Sequence, residues 1–255
     1  MPRPRNRMLS CFYDSSAVNR RTIPKSTFPV QRDNYDWAEV RREMKRALEL
    51  NRSSPVVRLR YAITGLIPHG RLDEAVAELE LALELDPMSM FARCWLAYAL
   101  GLKRQFDRGT EQIRLVLEVD PEYFWAHFIL GDLYGGKRML TEGIAAHRKA
   151  AELTGGAPMM LGWLGMTLAQ SGDTAAARAI LDRLHAIALK AYVLPTSFAW
   201  IHLGLGETDQ AFAWLDRAVD ARDHMLMPIK SYPFLDEIRA DPRYIALLRR
   251  MKLEP

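Results

Sequence analysis

The sequence predicts an all-α protein, an α-solenoid of antiparallel helix pairs, on three observations. The first is a strict period: Ala75, Gly109, Gly143, Ala177 and Ala211 stand 34 residues apart. The second is what travels with those small residues. Leu79, Ile113, His147, Leu181 and Leu215 follow one helical turn later, and Ala82, Val116, Ala150, Leu184 and Ala218 one turn after that. The third is the stretch Phe124–Thr154, FWAHFILGDLYGGKRMLTEGIAAHRKAAELT, which reads as an apolar helix, a Gly-Gly-Lys-Arg turn and a second helix. One such pair cannot bury its apolar face alone, so copies must stack on either side of it.

The chain divides accordingly. Residues 1–34 contain Pro2, Pro4, Pro24 and Pro29 with no periodic apolar pattern, and read as a loose basic arm. Asp36–Asn51 is an amphipathic helix with Trp37, Val40, Met44, Ala47 and Leu48 on one face. It reads as the second helix of a pair whose first helix is missing, so that either the arm covers its exposed side or the chain is the C-terminal part of something longer. This half repeat, 35–55, is followed by full repeats at 56–89, 90–123, 124–157, 158–191 and 192–225, about five and a half in all. In the first helix of each repeat, Ala62, Leu96, Leu130, Leu164 and Phe198 keep the same spacing. The small residues let two helices approach closely, and the larger apolar residues a turn away fill the seam with the next pair. Gly70, Gly172 and Gly206 fall in the turns, where a left-handed backbone suits glycine. Residues 226–255 break the period and are expected to cap the array. There Asp241-Pro242 supplies an N-cap and first helical residue, and Tyr244, Leu247, Leu248 and Met251 form an apolar stripe. That stripe covers the last repeat or is offered to a partner or a second copy of the chain.

Charge and composition exclude several classes. The net charge of +4 is uneven: residues 1–34 carry seven basic side chains against Asp14 and Asp33, or +5, which leaves −1 for the remainder. Contact of the basic arm with nucleic acid is conceivable on charge alone, but the arm has no aromatic interleaving or nucleic-acid motif to support it. No apolar run reaches the length of a membrane span, so no membrane insertion is expected. Cys11 and Cys94 make neither a disulfide framework nor a zinc pattern, and a reducing cytoplasm is the expected compartment. Gly131–Lys137, GDLYGGK, approaches the phosphate-binding loop, but Arg138 replaces its Ser/Thr and no strand precedes it. No cofactor or metal is expected. His127 and His147 are expected to face each other across the central helix pair as a buried, hydrogen-bonded pair.

On these residues the chain resembles the tetratricopeptide repeat family. Leu130-Gly131-Asp132-Leu133-Tyr134 matches the Leu-Gly-x-x-Tyr motif of its first helix, and Ala75–Pro87, AVAELELALELDP, matches its second helix and closing Pro. The resemblance covers roughly 35–225. It departs in having Gly at 109 and 143 and no closing Pro after Leu153 or Lys190. It implies a right-handed superhelix with a concave groove lined by the first helices. The groove positions carry Arg60, Tyr61, Phe91, Trp95, Tyr98, Trp125, Phe128, Asp132, Met159, Trp163, Met166 and Trp200. Large rings with little rotamer freedom to lose suit an apolar or amphipathic peptide, although some of these rings could pack between neighbouring helices. Of the carboxylate clamp that chaperone-binding members use, Arg60 supplies one part, but Thr64, Trp95, Trp125 and Ile129 stand at other clamp positions, so the clamp is not matched.

The expected function is therefore a non-enzymatic cytoplasmic scaffold that binds a protein or peptide in an aromatic groove. The alternative is the sensor or regulatory half of a bacterial signalling protein whose effector domain is absent, on the strength of the segment Pro233–Met251. An enzyme ranks last, because no nucleophile, base and stabiliser converge in the sequence.

Overall fold

A computed structural model describes residues 36–253, and every regular element among them is helical. Helix α1, Trp37–Leu50, is the half repeat, capped by the Asp36 carboxylate on Glu39 N. The first full repeat holds α2, Pro55–Arg60, and α3, Leu72–Leu85. The second holds α4, Met90–Leu102, and α5, Phe106–Val119. The third holds α6, Phe124–Gly136, and α7, Leu140–Leu153. The fourth holds α8, Pro158–Gln170, and α9, Thr174–Ala188, and the fifth α10, Pro195–Gly204, and α11, Thr208–Asp220. The fold is an all-α solenoid. The arm, with Cys11 and its conceivable nucleic-acid contact, lies outside the described residues.

The small repeat residues sit where the period predicts. Ala75, Ala177 and Ala211 are wholly buried. A Cβ on Gly109 would come within 2.7 Å of the Leu133 side chain and 3.0 Å of the Ala97 carbonyl, so α4 and α5 meet more closely than alanine allows. Helices α8 and α10 also bring their backbones close: a Cβ on Gly162 would lie 2.7 Å from Ser197 Cα, and one on Gly204 the same distance from Met166 O. Lysines repeat one period apart as inter-repeat ties, Lys103 to Asp73 and Lys137 to Asp107.

One turn position shows the period in the backbone. Residues 70, 104, 138, 172 and 206 all adopt left-handed φ, at 70°, 63°, 61°, 90° and 72°. Three are glycines, but Arg104 and Arg138 accept a conformation that costs an L side chain about 1–2 kcal/mol.

Two elements depart from the regular pattern. Beyond α2 the chain widens into π-type turns over Tyr61–Leu66 and then tightens at Ile67–His69, where Pro68 has no N–H to continue the ladder. The larger departure is at the C-terminus. Helix α12, Pro242–Arg250, does cap the last repeat: Arg243 pairs with Asp209 at 2.7 Å and Arg250 with Asp216 and Asp220 at 2.6 Å each. Between α11 and α12, however, short turns at His224–Leu226 and Pro233–Ile238 run across the concave face. After α12 the chain meets α1, where the Trp37 indole N–H donates to the Met251 carbonyl at 2.7 Å.

Candidate functional site

The aromatic positions of the first helices form one continuous series of ring contacts. Phe91 meets Trp95 edge-on at 6.2 Å, Trp95 meets Trp125 at 6.3 Å, and Trp125 stacks on Phe128 at 4.7 Å. Phe128 then meets Trp163 at 5.3 Å, and Trp163 meets Trp200 at 6.1 Å. The series crosses α4, α6, α8 and α10, because successive repeats place the same helical face inward. Tyr61 and Met166 are buried beside it, while Arg60, Phe91, Asp132 and Met159 are partly buried.

The aromatic face is covered, and its rings are packed together. Trp95, Tyr98, Trp125, Phe128, Trp163 and Trp200 are all nine-tenths or more buried. The physical reason is the segment between α11 and α12, which brings its own rings to theirs. Tyr232 lies 5.7 Å from Trp163 and 5.6 Å from Trp200, and Phe234 lies 5.4 Å and 5.1 Å from the same two rings. The Tyr98 hydroxyl donates to the Tyr232 hydroxyl at 3.0 Å, and Tyr232 donates onward to Met225 O at 3.0 Å. Burial pushes both phenols well above their usual range. At the edge Arg104 pairs with Asp236 at 2.6 Å, so a left-handed turn arginine reaches the covering segment.

Among the described residues two cavities on this face share Tyr98 and Tyr232 in their linings. The first, about 440 Å³, extends over α6 and α8 and is lined by Asp132, Trp163 and Met166 among the expected groove residues. The second, about 360 Å³, is mostly apolar and touches Arg60, Phe91, Trp95 and Trp125. Burial lowers the pKa of Arg60 from its ordinary value. Tyr61, Phe128, Met159 and Trp200 line neither cavity. Phe128 and Trp200 instead pack within the ring series.

Beneath the first cavity lies a polar relay that the repeat pattern does not require. His147 Nδ1 is 2.9 Å from Thr167 Oγ1, and Thr167 donates to the Trp163 carbonyl at 3.0 Å. The second ring nitrogen stands 3.2 Å from Asp132 Oδ1, so the imidazole bridges Thr167 and the carboxyl group. Burial raises the Asp132 carboxyl pKa, with the bond from His147 opposing it. Gly131 makes the approach feasible, since a Cβ there would lie 2.2 Å from the His147 ring. The expected His127–His147 pair does not form: His127 bonds the Pro121 carbonyl at 2.8 Å, because its Nε2 points along its own helix start. GDLYGGK is the end of α6, not a phosphate loop.

Sequence reasoning missed Tyr232, Phe234 and Thr167. For the first two there was a signal: Ser231-Tyr232-Pro233-Phe234 puts two rings and a proline in a stretch with no helical period. Cys94 is buried, and burial raises its thiol pKa far above the usual value, which fits a packing role. Among the described residues no group of three potential metal ligands comes together, and no helix is long and apolar enough to cross a membrane.

Comparison with known proteins adds the fold. No family model matches the chain, and no curated protein matches it. Among solved structures it is similar to TTC0263, a thermophilic tetratricopeptide-repeat protein of Thermus thermophilus, at 21% identity and a TM-score of 0.55. That match covers 71% of this chain and 99% of the other. It is also similar to MamA from residue 41 to its end, from Desulfovibrio magneticus, at 20% identity and a TM-score of 0.50, over 68% and 97% of the two chains. At such identities the likeness speaks for architecture: the fold of this chain is a tetratricopeptide-repeat solenoid.

Proposed function

We propose that the chain is a non-enzymatic binding scaffold that takes a short, extended, ring-bearing segment of a protein partner on its concave face. The observation that supports this is the chain's own Tyr232–Phe234, which sits against Tyr98, Trp163 and Trp200 in that manner. In this reading the partner segment uses the ring series from Phe91 to Trp200, with Arg60 and Asp132 as the charged positions beside it. The covering segment holds the face until a partner competes for it. At its edge the segment is held by the exposed Arg104–Asp236 pair, worth at most about 1 kcal/mol.

The test uses the full chain with Tyr232→Ala and Phe234→Ala together, and a fluorescent peptide of residues 228–240. The doubly substituted chain should bind the peptide by anisotropy, and the unaltered chain should bind it at least about tenfold more weakly, because its own segment competes. If neither chain binds the peptide, the ring series is an ordinary core and the proposal fails.

A further inference from the structure

We propose that the mostly apolar cavity lined by α2, α4 and the stretch His224–Pro228 binds a small monocarboxylate with an alkyl tail, held at its head by Arg60 and the Trp95 indole N–H. This goes beyond the protein-binding role. It concerns the chain with its own covering segment in place, so it holds whether or not a partner displaces that segment.

The lining sets the charge of the ligand. Arg60 is the one residue around this cavity that is cationic at neutral pH, and among the described residues no aspartate or glutamate lines it. His224 lines it too, but burial lowers the pKa of that ring and leaves it neutral at pH 7. Tyr98 and Tyr232 stay uncharged, since burial raises both phenols. The cavity therefore holds a positive charge and no negative one. A guanidinium carries five N–H donors in one plane, so a contact made elsewhere leaves others for a carboxylate, whose two oxygens match that fork. A second donor lies in the same wall. The Trp95 indole N–H is buried and has no acceptor among the described residues. A donor left in that state costs free energy that an acceptor on a ligand recovers.

The rest of the wall says what carries the carboxylate. At about 360 Å³ the cavity has the size of a small-molecule site. Leu59, Ile63 and Phe91 give it apolar surface, and Met225 and Met227 add unbranched side chains that adapt to a run of methylenes. A cationic head would meet Arg60 with no acid to hold it. A neutral head would forgo the charge-assisted bond.

The test is calorimetric titration of the full chain at pH 7 with sodium octanoate, against octanol and octylammonium chloride as probes of the same alkyl length. Octanoate should bind at least about tenfold more tightly than either. Arg60→Gln should bring octanoate down to the level of octanol and leave octanol unchanged, while Arg60→Lys, which keeps the charge, should keep part of the preference. A second readout needs no substitution at Arg60. In the indole N–H nuclear magnetic resonance spectrum of the unaltered chain, the Trp95 signal, assigned by its loss in Trp95→Phe, should move downfield and saturate with octanoate. Absence of octanoate binding, equal binding of octanol or octylammonium, or a Trp95 signal that stays still at saturation would each overturn the proposal.

Discussion

The stretches Met90–Leu153 and Met225–Leu253 meet on the same concave face but are built by different rules. The first repeats: small residues one period apart, ion pairs one period apart, and a left-handed residue at each turn. The second has no period, runs through short tight turns, and spends its hydrogen bonds on individual partners. Arg239 alone donates to Lys230 O, Tyr232 O and the Tyr244 hydroxyl. A repeat fixes which side chains face inward, whereas what they meet there is decided by a segment outside the repeat. The rings are therefore a shared surface, with one half specified by periodicity and the other by Tyr232 and Phe234.

Substitutions can separate the two halves. The largest effect is expected at Trp163, which touches both: Trp163→Ala should cost about 3–5 kcal/mol in denaturant unfolding. Gly131→Ala tests the regular half alone, and forcing a Cβ against the His147 ring should cost about 1–3 kcal/mol. The turn position gives a smaller, opposed pair. Gly172→Ala should destabilise by about 1 kcal/mol through backbone strain alone, since nothing crowds its Cβ. Arg138→Gly, at the same place in the third repeat, should stabilise by a similar amount, about 1 kcal/mol. Equal signs for those two variants would break the claim that the turn is one conformation repeated.

The C-terminal half also has a pH signature. Hydrogen bonds from Arg243 hold the Asp241 carboxyl below its usual pKa, and His202 and Arg178 do the same for Glu207. A depressed folded-state pKa contributes stability that is present above the unfolded value, about 4, and lost as pH falls through the folded one. The unfolding temperature should therefore drop on acidification below about pH 4, and Asp241→Asn, which can still cap α12, should make that drop shallower. Asp132 works in the other direction, because burial raises its pKa and its contribution is lost as pH rises through the folded value.

Much of this architecture is legible in the sequence for a physical reason. Stacked copies bury the same positions each time, so Ala75, Gly109 and their equivalents announce themselves by recurrence. His147 is legible as an exception, a histidine where the other repeats carry Leu79, Ile113, Leu181 and Leu215. Its partners are not, because Asp132 and Thr167 come from neighbouring helices whose separation depends on Gly131. The C-terminal segment reads as a cap on the last repeat, which α12 is. Nothing local in Ser231–Phe234 says that it reaches back to Tyr98, 134 residues earlier in the chain than Tyr232.

That long reach is the centre of the account, and a double-mutant cycle on Tyr98→Phe and Tyr232→Phe tests it most directly. The cycle cancels the loss of the Tyr232 bond to Met225 and isolates the contact between the repeat and the segment. A coupling of about 1 kcal/mol in unfolding free energy is predicted. Additive effects, with no coupling beyond error, would contradict the placement of the C-terminal segment on the concave face.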